Sequence, residues 1–197
     1  MIIEKLRAAT GPVHQELDAS LMPVFKATDT KEKYGRLLRG FYGFFQPVTA
    51  LIDKHLDKTY LTDYSERRRP ATIINDLQAL QLPAEDIAAA VQLPVISNRA
   101  AAFGAYYVLE GSTLGGVYLS KMLAEQLQID ENSGLSFFYG YGKMSRERWN
   151  VFVDALNRFA AASNEEDAIT NAAIETFALF KIHLEKLTVH QTMLTHE

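Results

Sequence analysis

The amino-acid sequence predicts an all-α fold, and two observations support this. Apolar residues recur at the three- and four-residue spacing of an amphipathic helix in most of the chain. No segment shows the sustained alternation of polar and apolar residues that a half-buried strand requires. A length of 197 residues without internal repeats is typical of one domain. We therefore expect residues 1–197 to form a single helical domain.

Helical periodicity divides the chain into successive segments, joined by turn-rich stretches at residues 58–70 and 132–143. The predicted helices cover residues 3–21, 34–52, 71–80, 97–128, 145–162 and 164–187, with a further helical turn or short helix at residues 83–93.

Cap and proline signals place several helix boundaries. Asp29 or Thr30 can accept hydrogen bonds at the start of the second helix, and Pro47 within it predicts a kink or a break. Ser163 and Glu166 have the spacing of a capping box, which predicts the start of the last helix.

Charge and hydropathy argue against nucleic-acid and membrane partners. The formal net charge is -4, and the only basic run, residues 67–69, precedes a proline, as in a solvated loop. No apolar stretch reaches the length of about 18 residues that a membrane span needs. Residues 1–10 carry charges without the apolar run of a signal peptide. We expect a cytoplasmic protein.

The chain contains no cysteine. This excludes disulfide bonds, a thiolate nucleophile and cysteine-ligated zinc, iron–sulfur or heme centres. Any bound metal must therefore be held by histidine, carboxylate, tyrosine or methionine side chains.

The segment Tyr106–Val117 places three glycines inside the predicted helix over residues 97–128. A glycine in a helix interior costs about 0.5–1 kcal/mol relative to alanine, so three of them need a reason. Gly111 and Gly115 lie on one face, because residues four apart align along a helix. That bare face fits either close packing against another helix or the approach of a flat ligand.

His14 is the histidine in the most distinctive setting. It lies on the predicted inner face of the first helix, and Asp18 follows four residues later. A carboxylate on one ring nitrogen orients the imidazole of many metal-bound histidines. The alternative is a half-buried histidine that only forms a hydrogen bond with Asp18.

Together the two features suit a planar iron macrocycle held between an imidazole and a glycine-lined face. Heme with one histidine ligand and an open opposite side binds or activates O₂, depending on its surroundings. A glycine backbone supplies no acid to split O₂, which favours oxidation of the heme itself.

The chain resembles bacterial heme oxygenases, most of all the biliverdin-forming enzymes associated with bacteriophytochromes. The resemblance is carried by Leu6–Thr10 with Val13-His14, and by Tyr106–Gly116 with its core Val-Leu-Glu-Gly-Ser-Thr-Leu-Gly-Gly. It extends over nearly the whole chain. It implies a helical bundle with heme sandwiched between the first helix and the glycine-kinked helix, and conversion of heme, O₂ and electrons to biliverdin, Fe²⁺ and CO.

The resemblance also implies roles for individual residues. His14 would ligate the iron with Asp18 as its partner, and Gly111, Ser112 and Gly115 would form the catalytic distal face. Arg7 and Tyr106 would contact the heme propionates, as suits a guanidinium and a phenol. The full set of further heme contacts is Arg7, Thr10, Asp18, Tyr106, Leu114, Gly116 and Phe177.

Three departures from the family pattern affect the orientation of the heme. Ser112 stands where mammalian members have an aspartate, and Asp154 where they have a propionate-binding arginine. Gly11-Pro12 is expected to kink or restart the first helix. We expect cleavage at the α-meso carbon, the common outcome in the family.

The implied partners are heme, O₂ and an electron donor. No Gly-x-Gly-x-x-Gly fingerprint is present, so electrons would come from a ferredoxin or an NAD(P)H-dependent reductase. A bacteriophytochrome could accept the biliverdin. Two alternatives are a non-catalytic heme-storage protein on the same fold and a thiaminase-type enzyme, whose cysteine nucleophile this chain lacks.

Overall fold

The computed structural model describes residues 1–85, 87–130 and 133–194, with only the backbone described for 187–194. The described residues form helices without strands, which confirms the all-α expectation. The helices are α1 (Ile2–Lys26), α2 (Lys31–Ile52), α3 (Ala71–Ala79), α4 (Arg99–Gly111), α5 (Thr113–Leu127), α6 (Ser136–Tyr139), α7 (Ser145–Ser163) and α8 (Glu166–Leu194).

Neither Pro12 nor Pro47 ends its helix, so of the expected kink or break only the break is excluded. Helix α1 continues through Pro12, and α2 continues through Pro47. An interior proline removes one hydrogen bond and costs about 3 kcal/mol. Burial of apolar side chains on both sides, such as Leu6 and Leu17 in α1, offsets this cost.

The predicted helical turn at residues 83–93 is absent from the described part of that segment, which excludes Asp86. The segment instead packs on α2, where the Ala90 N–H donates a 2.8 Å hydrogen bond to the Gly43 carbonyl. A Cβ at Gly43 would collide with the Ala88 carbonyl, so the missing side chain permits this approach.

Cap signals were correct at one helix and wrong at another. The Thr30 side chain accepts a 3.2 Å hydrogen bond from the Lys33 N–H and caps α2 as expected. Ser163 is the last residue of α7 and does not begin α8. Its hydroxyl accepts from the Glu165 N–H at 3.4 Å, because Asn164 adopts a left-handed conformation, with φ 56°, that ends α7. Asn132, where the predicted turn-rich segment begins, lies outside the described residues.

The predicted helix over residues 97–128 is divided at Ser112 into α4 and α5. Side-chain hydroxyls bond to the carbonyls at the break: Ser112 Oγ donates to the Leu109 carbonyl and Thr113 Oγ1 to the Glu110 carbonyl, both at 2.7 Å. The carbonyls at the end of α4 are therefore satisfied by the hydroxyls of Ser112 and Thr113, beside the flexible backbone of Gly111.

Helix α8 is the central packing partner of α4 and α1. Gly104 lets α4 approach α8, because an added Cβ would collide with the Ile169 carbonyl and Ala172. An aromatic cluster from α2, α6 and α8 fills the space beside α1. Among the described residues, no helix has both the length and the apolar character of a membrane span.

Asp76 holds α6 in place from α3. Its carboxylate accepts from the backbone N–H of Ser136 at 2.9 Å, the Ser136 hydroxyl at 2.6 Å and the Phe137 N–H at 2.8 Å. Burial raises the pKa of Asp76, and these hydrogen bonds oppose that rise. The side chain thus serves as a cap for α6 supplied by another helix.

We expect Asp76→Ala to destabilise the fold by about 3 kcal/mol, because it leaves two backbone donors and a hydroxyl without their acceptor. Urea unfolding of the variant measures the loss. Asp154→Ala, at an exposed position, is the matched control and should change stability little. Equal stability of the two variants would contradict this role of Asp76.

Candidate active site

A cavity of about 730 Å³ lies between α1 and the α4–α5 break. Its volume and its predominantly apolar and aromatic lining are typical of cofactor and small-molecule sites. The lining comes from α1, α2, the segment after Glu66, the α4–α5 region, α6, α7 and α8. The cavity therefore brings together residues that are far apart in the sequence.

His14 lines this cavity from α1. Its Nδ1 lies 3.1 Å from Asp18 Oδ2, and its ring meets the Phe177 ring edge-on with a centroid separation of 5.3 Å. The imidazole side chain is 53% exposed, more open than an inner-face position implies. Because Asp18 occupies Nδ1, Nε2 is the nitrogen left to ligate a metal in the cavity.

The glycines of the α4–α5 region fall into two groups. An added Cβ at Gly115 would meet nothing within 4 Å, and at Gly111 it would come only to 3.7 Å from the Trp149 ring. Both residues line the cavity. At Gly116 an added Cβ would collide with the Phe138 carbonyl, so this glycine permits close packing of α5 on α6.

Arg68 is a cavity-lining residue that sequence reasoning missed. Its guanidinium donates to Ser112 Oγ at 2.7 Å, to the Leu109 carbonyl at 2.8 Å and to the Phe137 carbonyl at 3.1 Å. It lies 4.3 Å from the centroid of the Phe137 ring. Burial lowers the pKa of Arg68, and Glu110 opposes that shift. A cation next to the carbonyls that end α4 interacts favourably with the helix dipole.

Of the two neighbours of Arg68, Arg67 is not solvated as the sequence predicted, whereas the side chain of Arg69 is 32% exposed. Arg67 is buried and bonds to Glu110 at 2.6 Å and Asp63 at 2.8 Å. Burial alone would lower the pKa of Arg67, but these two carboxylates raise it above its ordinary value. Arg69 pairs with Asp53 at 2.7 Å. The basic run therefore belongs to the structure and the site, because nearby and distant carboxylates and carbonyls pair with it.

Three expected heme contacts lie outside the cavity lining. The ring of Tyr106 packs edge-on against Tyr64 and Phe152, on another side of α4, whereas the adjacent Tyr107 lines the cavity. Thr10 is buried and donates to the Leu6 carbonyl at 2.7 Å. Gly116 faces Phe138, as described above. Arg7, Leu114 and Phe177 do line the cavity.

The residues present fit a planar macrocycle that carries iron and acidic side groups. Helix α1 offers the His14 imidazole to the cavity, and α5 offers open space at Gly115 with no side chain to fill it. Guanidinium groups reach the lining from Arg7 and Arg68, and the lining carboxylate of Asp18 is occupied by His14. Arginine pairs well with carboxylates, so Arg7 at the rim can bind a propionate.

Comparison with known sequences identifies relatives along the chain. A sequence model of the heme oxygenase family matches residues 1–186. A heme oxygenase of Xanthomonas campestris pv. campestris is 29% identical over 145 residues, which cover 72% of this chain and 82% of that protein. The heme oxygenase PigA of Pseudomonas aeruginosa is 26% identical over 183 residues, which cover 93% of this chain and 91% of that protein.

Solved structures show the same fold. The heme oxygenase from Neisseria meningitidis, solved with bound NO and CO, superposes with a TM-score of 0.80 at 24% identity, covering 95% of this chain and 92% of that one. The heme oxygenase from Leptospira interrogans gives 0.72 at 19% identity, covering 94% and 98%. Since the family match spans nearly the entire chain, the protein belongs to the heme oxygenase family and is a heme oxygenase enzyme that binds heme as its substrate and prosthetic group.

Proposed function

We propose that the protein cleaves heme to biliverdin, Fe²⁺ and CO, using O₂ and electrons supplied from outside the chain. The observation that carries this proposal is that His14, with Nδ1 held by Asp18, lines the same cavity from α1 as Gly115, beside which the space is open, does from α5. When bound, heme supplies both the redox-active iron and the ring that is cleaved.

The protein's own residues position the substrate and shape its surroundings. Asp18 holds the His14 ring in one orientation and tautomer, and the Phe177 ring packs against it. Gly111 and Gly115 leave their part of the lining without side chains and therefore without a general acid. Ser112 and Arg68 form one polar corner of a largely apolar site, where the Arg68 guanidinium supplies a positive charge to the surroundings of the substrate.

The electron donor and the recipient of the product belong to the same proposal. We propose a ferredoxin or an NAD(P)H-dependent reductase as donor, because the sequence has no dinucleotide fingerprint. Delivery of biliverdin to a bacteriophytochrome and a cytoplasmic location stay predictions of the sequence.

The proposal is tested by reconstituting the protein with heme and adding a reductant in air. Loss of the heme absorption bands, with release of biliverdin and CO, is the expected result. Heme that persists through repeated reduction in air would favour the alternative of a heme-storage protein on this fold. The product is then extracted and separated by chromatography against the four biliverdin isomers.

We expect biliverdin IXα from the parent and a mixed set of isomers from Arg7→Ala. Arg7 is the rim cation of the lining, so its loss should let the ring rotate. Heme affinity should fall by about two- to fivefold, the range for one partly exposed ion pair. Arg158→Ala, at an exposed arginine outside the lining, is the matched control. Unchanged isomers and affinity in Arg7→Ala would remove Arg7 from the proposed propionate site.

A further inference from the structure

Two consecutive residues are attached to one buried carboxylate behind the cavity. The backbone N–H of Arg68 donates a 2.8 Å hydrogen bond to the Tyr141 hydroxyl. That hydroxyl donates to the Glu110 carboxylate, with distances of 3.0 and 3.2 Å to its two oxygens. Arg67 bonds to the same carboxylate at 2.6 Å. The Glu110 carboxylate thus binds the Arg67 guanidinium directly and the Arg68 backbone N–H through the Tyr141 hydroxyl.

The location of Glu110 connects these contacts to the α4–α5 break. Glu110 immediately precedes Gly111, and its own carbonyl accepts the Thr113 hydroxyl at the break. The side chains of Arg67 and Glu110 are 0% and 2% exposed, so solvent does not weaken their attraction. The buried Arg67–Glu110 ion pair therefore fixes the position of the last turn of α4, next to the break.

The guanidinium of Arg68 also contacts the α4–α5 break, so both the backbone and the side chain of Arg68 are attached to this region. Its bond to Ser112 Oγ joins the side chain to the first residue after Gly111, while its backbone is joined to Glu110 through Tyr141. Movement of either end would change the separation between the guanidinium and the glycine face.

We propose that Tyr141 and Glu110 are positioning residues that fix the Arg68 guanidinium at the polar corner of the site. Neither lines the cavity, so they act on the substrate through Arg68 and not by direct contact. The effect of these residues on catalysis rests on the proposed function. The placement of Arg68 itself can be measured without turnover.

The first test measures the reaction of Arg68 with phenylglyoxal in the heme-free, full-length protein, mapped by mass spectrometry of peptides. Tyr141→Phe removes the hydroxyl that bridges Arg68 to Glu110, so Arg68 should react about fivefold faster, the factor expected for one lost hydrogen bond. Glu110→Gln keeps an acceptor for Arg67 and should give a smaller increase. Tyr64→Phe is the matched control, because it removes another buried phenol that donates to a carboxylate, Asp53 at 2.6 Å.

The second test records the C–O stretching frequency of the CO complex of each heme-loaded variant. Displacement of a cation from the distal corner should raise this frequency in Tyr141→Phe and leave it unchanged in Tyr64→Phe. Unchanged Arg68 reactivity in folded Tyr141→Phe would overturn the proposal, as would an equal increase in Tyr64→Phe. If the parent forms no biliverdin, the proposed function fails, while the phenylglyoxal rates still decide whether Tyr141 positions Arg68.

Discussion

Replacement of His14 by alanine is expected to lower the rate of biliverdin formation by at least about 100-fold, since loss of a partner of a metal ligand alone costs 10- to 100-fold. The imidazole is the cavity's ligand to iron in our account, and its Nδ1 bond to Asp18 leaves Nε2 for that role. Added imidazole should occupy the space left by the side chain and restore part of the rate and of the parent absorption spectrum.

Two further variants separate ligation from general disturbance of α1. Asp18→Asn should slow turnover by about tenfold, because it changes the orientation and basicity of the ligand while leaving it in place. His55→Ala removes a histidine outside the cavity lining, whose Nε2 lies 3.2 Å from the Ile96 carbonyl, and should keep the parent spectrum. Normal turnover in His14→Ala would exclude His14 as the ligand.

Two glycines on either side of the break are expected to respond oppositely to alanine. Gly104→Ala should destabilise the fold by about 3 kcal/mol, because the new methyl group would force α4 away from the backbone of α8. Gly115→Ala meets open space, so its higher helix propensity should stabilise the protein by up to about 1 kcal/mol. That methyl group would instead project into the heme cavity and reduce heme affinity or biliverdin yield.

Thermal unfolding of the heme-free variants and heme titration measure the two effects separately. Gly11→Ala in α1 is a matched control, because nothing outside its own helix lies within 4 Å of its added Cβ and the residue is outside the cavity lining. It should keep parent heme binding, whereas the clash of its Cβ with the ring of Pro12 should prevent a gain in stability. A Gly115→Ala variant with parent turnover would mean that this face does not approach the substrate.

Local spacing in the sequence was sufficient for much of the fold and part of the site. Helical periodicity predicted the main helices, and the Thr30 cap lies where the sequence places it. The i,i+4 relation of His14 and Asp18 is a property of one helix, so their contact followed from sequence alone. The cost of glycine in a helix likewise indicated a special role for the segment around Gly111.

Features that depend on distant partners could not be predicted in this way. Arg67 and Arg68 precede a proline in a charged segment, and their buried partners on α4 are more than 40 residues away. The choice between Tyr106 and Tyr107 as the cavity tyrosine depends on the rotation of α4 against its neighbours. The sequence around an arginine does not indicate that a distant helix will supply a carboxylate to pair with it.

The most direct test of the central claim is a crystal structure of the heme complex. We predict that the ring lies in the cavity between α1 and α5, with His14 Nε2 bound to iron and Nδ1 still paired with Asp18. The opposite side of the ring should face Gly111 and Gly115. Iron bound by any other side chain, or heme seated outside this cavity, would contradict the account.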